Sequence, residues 1–285
     1  MRKSTANLLL VIVTVVWGGG FIATSTALNV FSPFTILMIR FLGAAVLPII
    51  LARNAWKTLT KKDILHGIIV GVLLFLSFAF QTFGLQTTTS GKNAFLTATN
   101  VIMVPYLLWL FLHKKPDRKA IISSFICILG IALLTLRAEA MRLSSGDMLS
   151  LICALFFAMH MIALDRCGKD VDVFAMTALQ MLTAGLLAAI FALMFESWPQ
   201  AVERTAIWSL LYSIFISTML AYLLQTWAQK YTPASEAALI LSMEALWAAV
   251  FSYLFLGETM TLPVLTGAAL ILCSVLYVEA GNGEG

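Results

Sequence analysis

Residues 68–80 read IIVGVLLFLSFAF, a run in which only Gly71 and Ser77 interrupt large apolar side chains. A soluble helix or strand keeps one polar face toward water, and a solid apolar run has no such face. Nine further segments of similar character occur, each near the roughly twenty residues that a helix needs to cross a bilayer. The predicted helices cover residues 7–28, 33–52, 64–85, 93–112, 119–136, 147–164, 173–195, 206–229, 233–256 and 261–278.

The composition agrees with a chain that lies almost entirely in a membrane. Of its 285 residues, 61% are hydrophobic and 11% are charged, whereas about a quarter of a soluble domain is charged. Every connection between the predicted helices is short, so no stretch is long enough to fold as a soluble domain. The sequence therefore predicts an all-α integral membrane protein with ten transmembrane helices.

The net charge of +4 does not indicate a nucleic-acid partner, because the basic residues lie in short loops and not along one face. The four cysteines are scattered without CxxC spacing, which excludes a typical disulfide framework or zinc site. They are Cys127, Cys153, Cys167 and Cys273. We expect neither a cofactor nor a bound metal.

The distribution of lysine and arginine predicts the orientation. With the N-terminus inside, the cytoplasmic segments carry 13 basic residues and the outer loops carry 4, an excess that the positive-inside rule assigns to the cytoplasm. The inner set is Arg2, Lys3, Arg53, Lys57, Lys61, Lys62, Lys114, Lys115, Arg118, Lys119, Arg166, Lys169 and Lys230. The outer set is Lys92, Arg137, Arg142 and Arg204. Both termini are expected in the cytoplasm.

An internal repeat divides the chain into two halves, residues 1–140 and 141–285. The segment from Gly84 to Leu112 aligns with a later segment at a constant offset of 144 residues. The matched pairs are Thr88 with Thr232, Ala94 with Ala238, and Leu110 to Leu112 with Leu254 to Leu256. Five helices per half is an odd number, so the second half enters from the opposite side. This predicts an inverted 5+5 repeat, an arrangement typical of secondary transporters.

Several short motifs follow one another in a distinctive order. They are Trp17-Gly18, Arg40-Phe41, Gly84-Leu85-Gln86 with Thr87-Thr88, Pro105, Gln229-Lys230-Tyr231-Thr232, Glu244, and Gly257-Glu258. In this order and spacing, over nearly the whole chain, they resemble the drug/metabolite transporter superfamily in its EamA-like branch of ten-span permeases. One departure is visible, since that branch often carries Glu-Pro in the ninth helix and here Ala245 follows Glu244. A proline kink is therefore not expected there.

The resemblance implies a pseudo-symmetric bundle with a central cavity, lined chiefly by the first, third, fourth, sixth, eighth and ninth helices. It also implies export or exchange of small polar metabolites, commonly amino acids or related compounds, across the bacterial cytoplasmic (inner) membrane. The expected partners are a small-molecule substrate and the lipid bilayer. Coupling to a proton or a counter-solute, and the oligomeric state, stay open.

Polar and aromatic side chains deep in the helices are the candidates for the substrate pathway, because hydrocarbon offers polar groups no partner. The candidates are Trp17, Thr24, Gln81, Asn100, His160, Tyr222, Gln225, Ser242, Glu244 and Trp247. Some of the polar ones are expected only to tie helices together. For Arg40, in the second helix, we expect structural pairing.

Glu244 is the strongest candidate, because it lies about twelve residues into the ninth helix and so near the bilayer midplane. A carboxyl group at that depth is expensive, by roughly 2.5 to 3.5 kcal/mol on insertion scales. It can carry a proton, bind a substrate amine or bridge helices. The offset of 144 sets it opposite Asn100.

An enzyme is the alternative class, with a membrane acyltransferase using His160 and Asp165 as its best form. The two residues lie five steps apart on one predicted helix, about 140° around its axis, so they are not expected to meet. His160 either faces a cavity or is bonded between helices. A non-transporting assembly subunit is the third reading. We expect a transporter and no catalytic residues.

Overall fold

The computed structural model describes residues 1–88, 90–113, 115–135, 144–256 and 261–281. Within these ranges the chain forms ten helical segments, which we number helix 1 to helix 10. Helices 1 to 5 comprise Lys3–Gly18 with Gly20–Leu28, Pro33–Leu51, Lys61–Leu85, Ser90–Ala98 with Asn100–Leu112, and Arg118–Thr135. Helices 6 and 7 comprise Ser145–Cys167 and Val173–Phe195. Helix 8 comprises Arg204–Tyr212, a π-helical stretch Ser213–Leu220, and Ala221–Gln229, and helices 9 and 10 comprise Ala234–Leu241 with Glu244–Leu256, and Leu262–Gly281.

The fold is an all-α membrane fold, as the sequence predicts. In the described part of the chain, eight helices (1 to 4 and 6 to 9) are long and apolar enough to cross a membrane, and helix 10 contains a shorter apolar stretch, Leu262–Tyr277. The count of ten crossings stays a prediction. Lys114, Arg137, Arg142, Gly257, Glu258 and the predicted boundary at residues 140 and 141 lie outside the described residues.

Local sequence signals define the helix starts. Thr60 and Asp63 form a capping box at helix 3, and Ser144 with Asp147 forms another at helix 6. Such boxes satisfy backbone N–H groups that would otherwise lack partners at a helix end. At helix 2 the cap comes from a distant residue, since Glu196 accepts hydrogen bonds from the backbone N–H groups of Phe34 and Thr35, at 2.9 and 2.7 Å.

The packing of the helices follows a two-fold exchange of the halves. Helix 2 packs against its repeat equivalent helix 7, and helix 5 against its equivalent helix 10. The remaining main contacts come in pairs that are related by replacing each helix with its repeat equivalent. The contact of helix 3 with helix 6 corresponds to that of helix 8 with helix 1. In the same way, helices 4 and 6 correspond to helices 9 and 1, and helices 3 and 7 to helices 8 and 2. This arrangement leaves helices 1, 3, 4, 6, 8 and 9 around the centre.

Small residues bring some helices very close. A Cβ built on Gly67 lies 2.4 Å from Leu179 Cβ, and one built on Gly71 lies 2.5 Å from Thr183 Cβ. Helix 3 can therefore approach helix 7 only with glycine at these positions, which is the packing role that GxxxG spacing has in membrane helices.

Candidate functional site

A central cavity of about 730 Å³, including its mouth, lies between the helices of the two halves. Its wall comprises Trp17, Gly20, Phe21 and Thr24 of helix 1; Arg40 of helix 2; Phe78, Gln81 and Leu85 of helix 3; Thr97, Ala98 and Asn100 of helix 4; Phe157 and Met161 of helix 6; Ser217, Tyr222 and Gln225 of helix 8; and Ala238, Leu241, Ser242 and Glu244 of helix 9.

Eight of the ten residues proposed from the sequence lie in this wall. They are Trp17, Thr24, Gln81, Asn100, Tyr222, Gln225, Ser242 and Glu244. His160 and Trp247 lie behind the wall. His160 is fully buried, with its Nε2 atom 3.0 Å from Gln180 Oε1, which is the bonding between helices that the sequence left open. Trp247 packs against Gly18, whose added Cβ would lie 2.8 Å from the Trp247 Cβ.

Two helix breaks lie at equivalent positions of the repeat, next to residues that line the cavity. Helix 4 is interrupted at Thr99, and helix 9 at Ser242 and Met243. Asn100 and Glu244 are the first residues after these breaks and are related by the offset of 144. Helix 9 is thus interrupted next to Glu244 although Ala245, and not a proline, follows that residue. Asn100 and Glu244 therefore each begin a helical segment in the cavity wall.

The carboxyl group of Glu244 lines the cavity. Among the described residues, none donates a hydrogen bond to its carboxyl group. A buried carboxylate is costly unless it is paired or hydrogen-bonded. The group is therefore placed to take a proton or a cationic partner from the cavity.

Arg40, for which the sequence predicts structural pairing in the first place, reaches the cavity from helix 2. Its Nη2 atom donates to Ser217 Oγ at 3.1 Å, its Nε atom donates to Thr218 Oγ1, and its Cζ atom lies 4.5 Å from the ring centroid of Phe78. These bonds leave several of its five N–H donors unused. Within the described chain no carboxylate pairs with it, so its positive charge is held by hydroxyl groups and a ring face.

The π-helical stretch of helix 8 accommodates this arrangement. Trp17 Nε1 donates to the backbone oxygen of Ser217 at 2.9 Å, and the Tyr212 hydroxyl donates to Val16 O at 2.6 Å. π-helical turns are rare and occur frequently at functional sites, because they redirect backbone groups from the regular ladder. Here the redirected carbonyl positions Trp17, which contacts the ring of Tyr222 at 5.3 Å between centroids.

Two further polar atoms in the wall lack partners in the described structure. The Tyr222 hydroxyl and Gln225 Oε1 are buried and have no hydrogen bond. Unsatisfied buried polar atoms are rare in folded proteins and call for a ligand or water.

The hydroxyl groups of two other candidates are satisfied locally. Thr24 donates to Gly20 O at 3.0 Å, and Ser242 donates to Leu239 O and lies 2.8 Å from Cys127 Sγ. These two side chains therefore shape the cavity wall more than they offer hydrogen-bond donors to a ligand.

The acyltransferase pair is not assembled. Asp165 lies 3.3 Å from Lys169 Nζ, whereas His160 contacts Gln180. In the described residues the two side chains thus have separate partners, as their spacing on one helix predicts.

The EamA-like transporter family model matches residues 4–136 and 144–279, which is two copies of the repeat. An uncharacterized transporter of Archaeoglobus fulgidus is 31% identical over 281 residues, covering 98% of this chain and 87% of that protein. The uncharacterized transporter YoaV of Bacillus subtilis is 27% identical over 272 residues, covering 92% of each. A crystal structure superposes over 100% of both chains with a TM-score of 0.83 at 14% identity, which demonstrates a shared fold.

Proposed function

We propose, since this chain belongs to the EamA-like transporter family, that it is a secondary transporter of small polar metabolites such as amino acids, working by alternating access. That it is a multi-pass membrane transporter follows from the family and its relatives. The substrate class and the mechanism are the proposal.

One observation carries the substrate class: a single cavity holds two opposite charges, neither paired by a described residue. Arg40, Glu244 and Tyr222 all line it. A ligand with a carboxylate and an ammonium group matches this arrangement, because each end finds an oppositely charged partner. Charge-assisted hydrogen bonds of this kind are about twice as strong as neutral ones.

The rest of the wall supports a ligand with an apolar body. The wall of the same cavity contains the rings of Trp17, Phe78 and Phe157. Ligand sites commonly combine apolar and aromatic walls with a few polar groups that fix orientation. Glu244 in this account recognises the substrate amine, and a proton on the same carboxyl group would compete with it.

Three matched compounds test the proposal. They are L-phenylalanine, phenethylamine, which lacks the carboxylate, and 3-phenylpropanoate, which lacks the amine. A thermal shift in detergent reports binding, because a ligand that binds only the folded form raises its apparent stability. We expect phenylalanine to bind about tenfold or more tightly than either fragment, since a hydrogen bond to a charged group contributes about 1.5 to 3 kcal/mol.

Two variants make the test specific to the two charges. In Arg40→Gln the advantage of phenylalanine over phenethylamine disappears, and in Glu244→Gln the advantage over 3-phenylpropanoate disappears. Equal binding of all three compounds to the unmodified protein, or loss of both advantages in both variants, contradicts the assignment of one charge to each end.

A further inference from the structure

Two ion pairs join the starts of helices that flank the cavity. Lys3 Nζ lies 2.6 Å from Glu236 Oε2 and connects helix 1 to helix 9. Lys92 Nζ lies 2.6 Å from Asp147 Oδ2 and connects helix 4 to helix 6. Both pairs involve a nearly buried carboxylate, since the exposed fractions of the Glu236 and Asp147 side chains are 8% and 0%.

The two pairs occupy the same positions of the repeat with their charges exchanged. The offset of 144 that relates the halves carries Lys3 onto Asp147 and Lys92 onto Glu236. Both lysines belong to the first half, on its first and fourth helices, and both carboxylates belong to the second half, on the equivalent helices. An ion pair therefore forms at both positions, although the equivalent residues carry opposite charges.

The supporting hydrogen bonds are also related by the repeat. Thr88 Oγ1 donates to Asp147 Oδ1 at 2.7 Å. Its equivalent Thr232 donates to Asn7 Oδ1 at 2.6 Å, and Asn7 Nδ2 donates to Glu236 Oε1 at 2.8 Å. A threonine thus supports the carboxylate at each end, directly in one half and through Asn7 in the other.

The two pairs lie at opposite faces of the molecule. Lys230, which follows helix 8 and precedes helix 9, donates from Nζ to Val171 O, beyond the end of helix 6. Helix 6 therefore ends at the face where helix 9 begins and where Lys3 pairs with Glu236. Asp147 lies 20 residues before Cys167, the last residue of helix 6, so it is about 30 Å from that face at 1.5 Å per residue.

The cavity lies between the two pairs at equal distance along the helices. Glu244 is eight residues beyond Glu236, and Asn100 is eight residues beyond Lys92, which is about 12 Å in each case. Each pair thus joins two of the helices that line the cavity, on one side of it.

We propose that Lys3–Glu236 and Lys92–Asp147 are two latches, one at each face, and that access to the cavity from a face requires the latch at that face to open. Removing the lysine from either nearly buried carboxylate before water reaches it leaves that negative charge uncompensated, which is strongly unfavourable. Each latch is therefore stable when closed and is released only when its end widens enough to hydrate both groups. Because the repeat places an equivalent latch at each face, one latch can open while the other stays closed, so that access to the cavity alternates between the faces.

Cysteine labelling tests the latches without any substrate, so its outcome is independent of the substrate assignment. Ala98, in the cavity wall, is changed to cysteine, and the two cysteines that are not buried, Cys167 and Cys273, are changed to alanine. A membrane-impermeant maleimide then labels the protein in oriented vesicles from one face or the other.

Asp147→Asn and Glu236→Gln each remove one latch charge at nearly constant size. We expect each to raise the labelling rate about tenfold or more from its own face, so the two variants must respond at opposite faces. Asp63→Asn is the matched control, because Asp63 forms a capping box like that of Asp147 but no ion pair within the described chain. Its labelling should equal that of the parent from both faces.

The charge-exchanged variant Lys92→Asp with Asp147→Lys should return labelling to the parent rate, because the other latch already has the reversed order of charges. If Asp147→Asn does not reach the membrane, Lys92→Gln opens the same latch and leaves the aspartate held by Thr88 and Ser144. Unchanged labelling in the single variants, a rise at both faces alike, or no restoration by the exchanged pair overturns the proposal.

Discussion

Helices 1 and 8 and their repeat equivalents, helices 6 and 3, form opposite walls of the cavity but differ in regularity. Helix 1 is interrupted at Gly19, and helix 8 contains the π-helical stretch Ser213–Leu220. Helices 6 and 3 run unbroken from Ser145 to Cys167 and from Lys61 to Leu85. The two equivalent helix pairs thus have the same topology, but only helices 1 and 8 contain irregular backbone.

The difference follows from what each wall contributes. The irregular wall holds Arg40 through Ser217 and Thr218, whereas the regular wall is joined by apolar contacts such as the stacked rings of Phe80 and Phe156, 5.5 Å between centroids. Non-helical backbone at membrane depth is tolerated only where it is buried in protein or lines a cavity. We conclude that the irregular wall is the specialised one and the regular wall is the scaffold.

Removing Arg40 should give the largest effect, because the charge and its bonds to helix 8 disappear together. For Arg40→Met we expect a loss of about 100-fold in transport rate, in line with the 1.5 to 3 kcal/mol of a charged hydrogen bond. Flux into liposomes measures it. Arg204→Met is the control, since Arg204 is exposed at the start of helix 8. A variant at Arg40 that transports normally would remove the distinction between the walls.

The close contact of helix 1 with helix 9 gives the next effect. In Gly18→Ala the new Cβ would lie 2.8 Å from Trp247 Cβ and 3.0 Å from Ala248 N, and overpacking of this kind costs about 1 to 3 kcal/mol. Melting in detergent should show the loss of stability. The comparison is Ala163→Gly, at the helix 6 position equivalent to Gly19, where we expect about 1 kcal/mol from helix propensity alone. A larger loss at Ala163 would show that the regular wall is the more constrained.

A smaller effect is expected at Tyr212, whose hydroxyl satisfies the carbonyl of Val16 near the helix 1 break. Tyr212→Phe should lower the free energy of unfolding by about 1 kcal/mol. Tyr106→Phe should leave it unchanged, because Tyr106 is 40% exposed. Equal melting temperatures of both variants would mean that water replaces this hydroxyl without loss.

Much of the fold could be predicted from the sequence, because the lengths of apolar runs and their polar breaks are direct consequences of bilayer thickness. Helix 7 begins at Val173 and ends at Phe195, as the apolar run predicts. The breaks at Thr99 and Met243 could not be predicted, since no proline or glycine marks them. They depend on packing between halves, which a linear pattern does not contain.

The sequence predicts which polar residues lie deep in the membrane, but it does not predict which of them line the cavity. Glu244 and Asn100 stood out because polar groups at membrane depth need partners. Arg40 was assigned to structural pairing because helix 2 was expected at the periphery, yet its side chain is long enough to reach the cavity. His160 and Trp247 met the same criterion of depth and lie behind the wall, because depth alone does not determine which way a helix face points.

Transport by the Glu244→Gln variant tests the central claim most directly. The substitution keeps size and hydrogen-bonding capacity and removes the charge, so purified protein in liposomes can be compared with the parent for uptake of L-phenylalanine over a range of pH. We expect the variant to insert normally, to transport at about one-tenth of the parent rate or less, and to lose the parent's dependence on pH. Transport at the parent rate with the parent's pH dependence would show that Glu244 is structural and that the cavity does not recognise its solute through this charge.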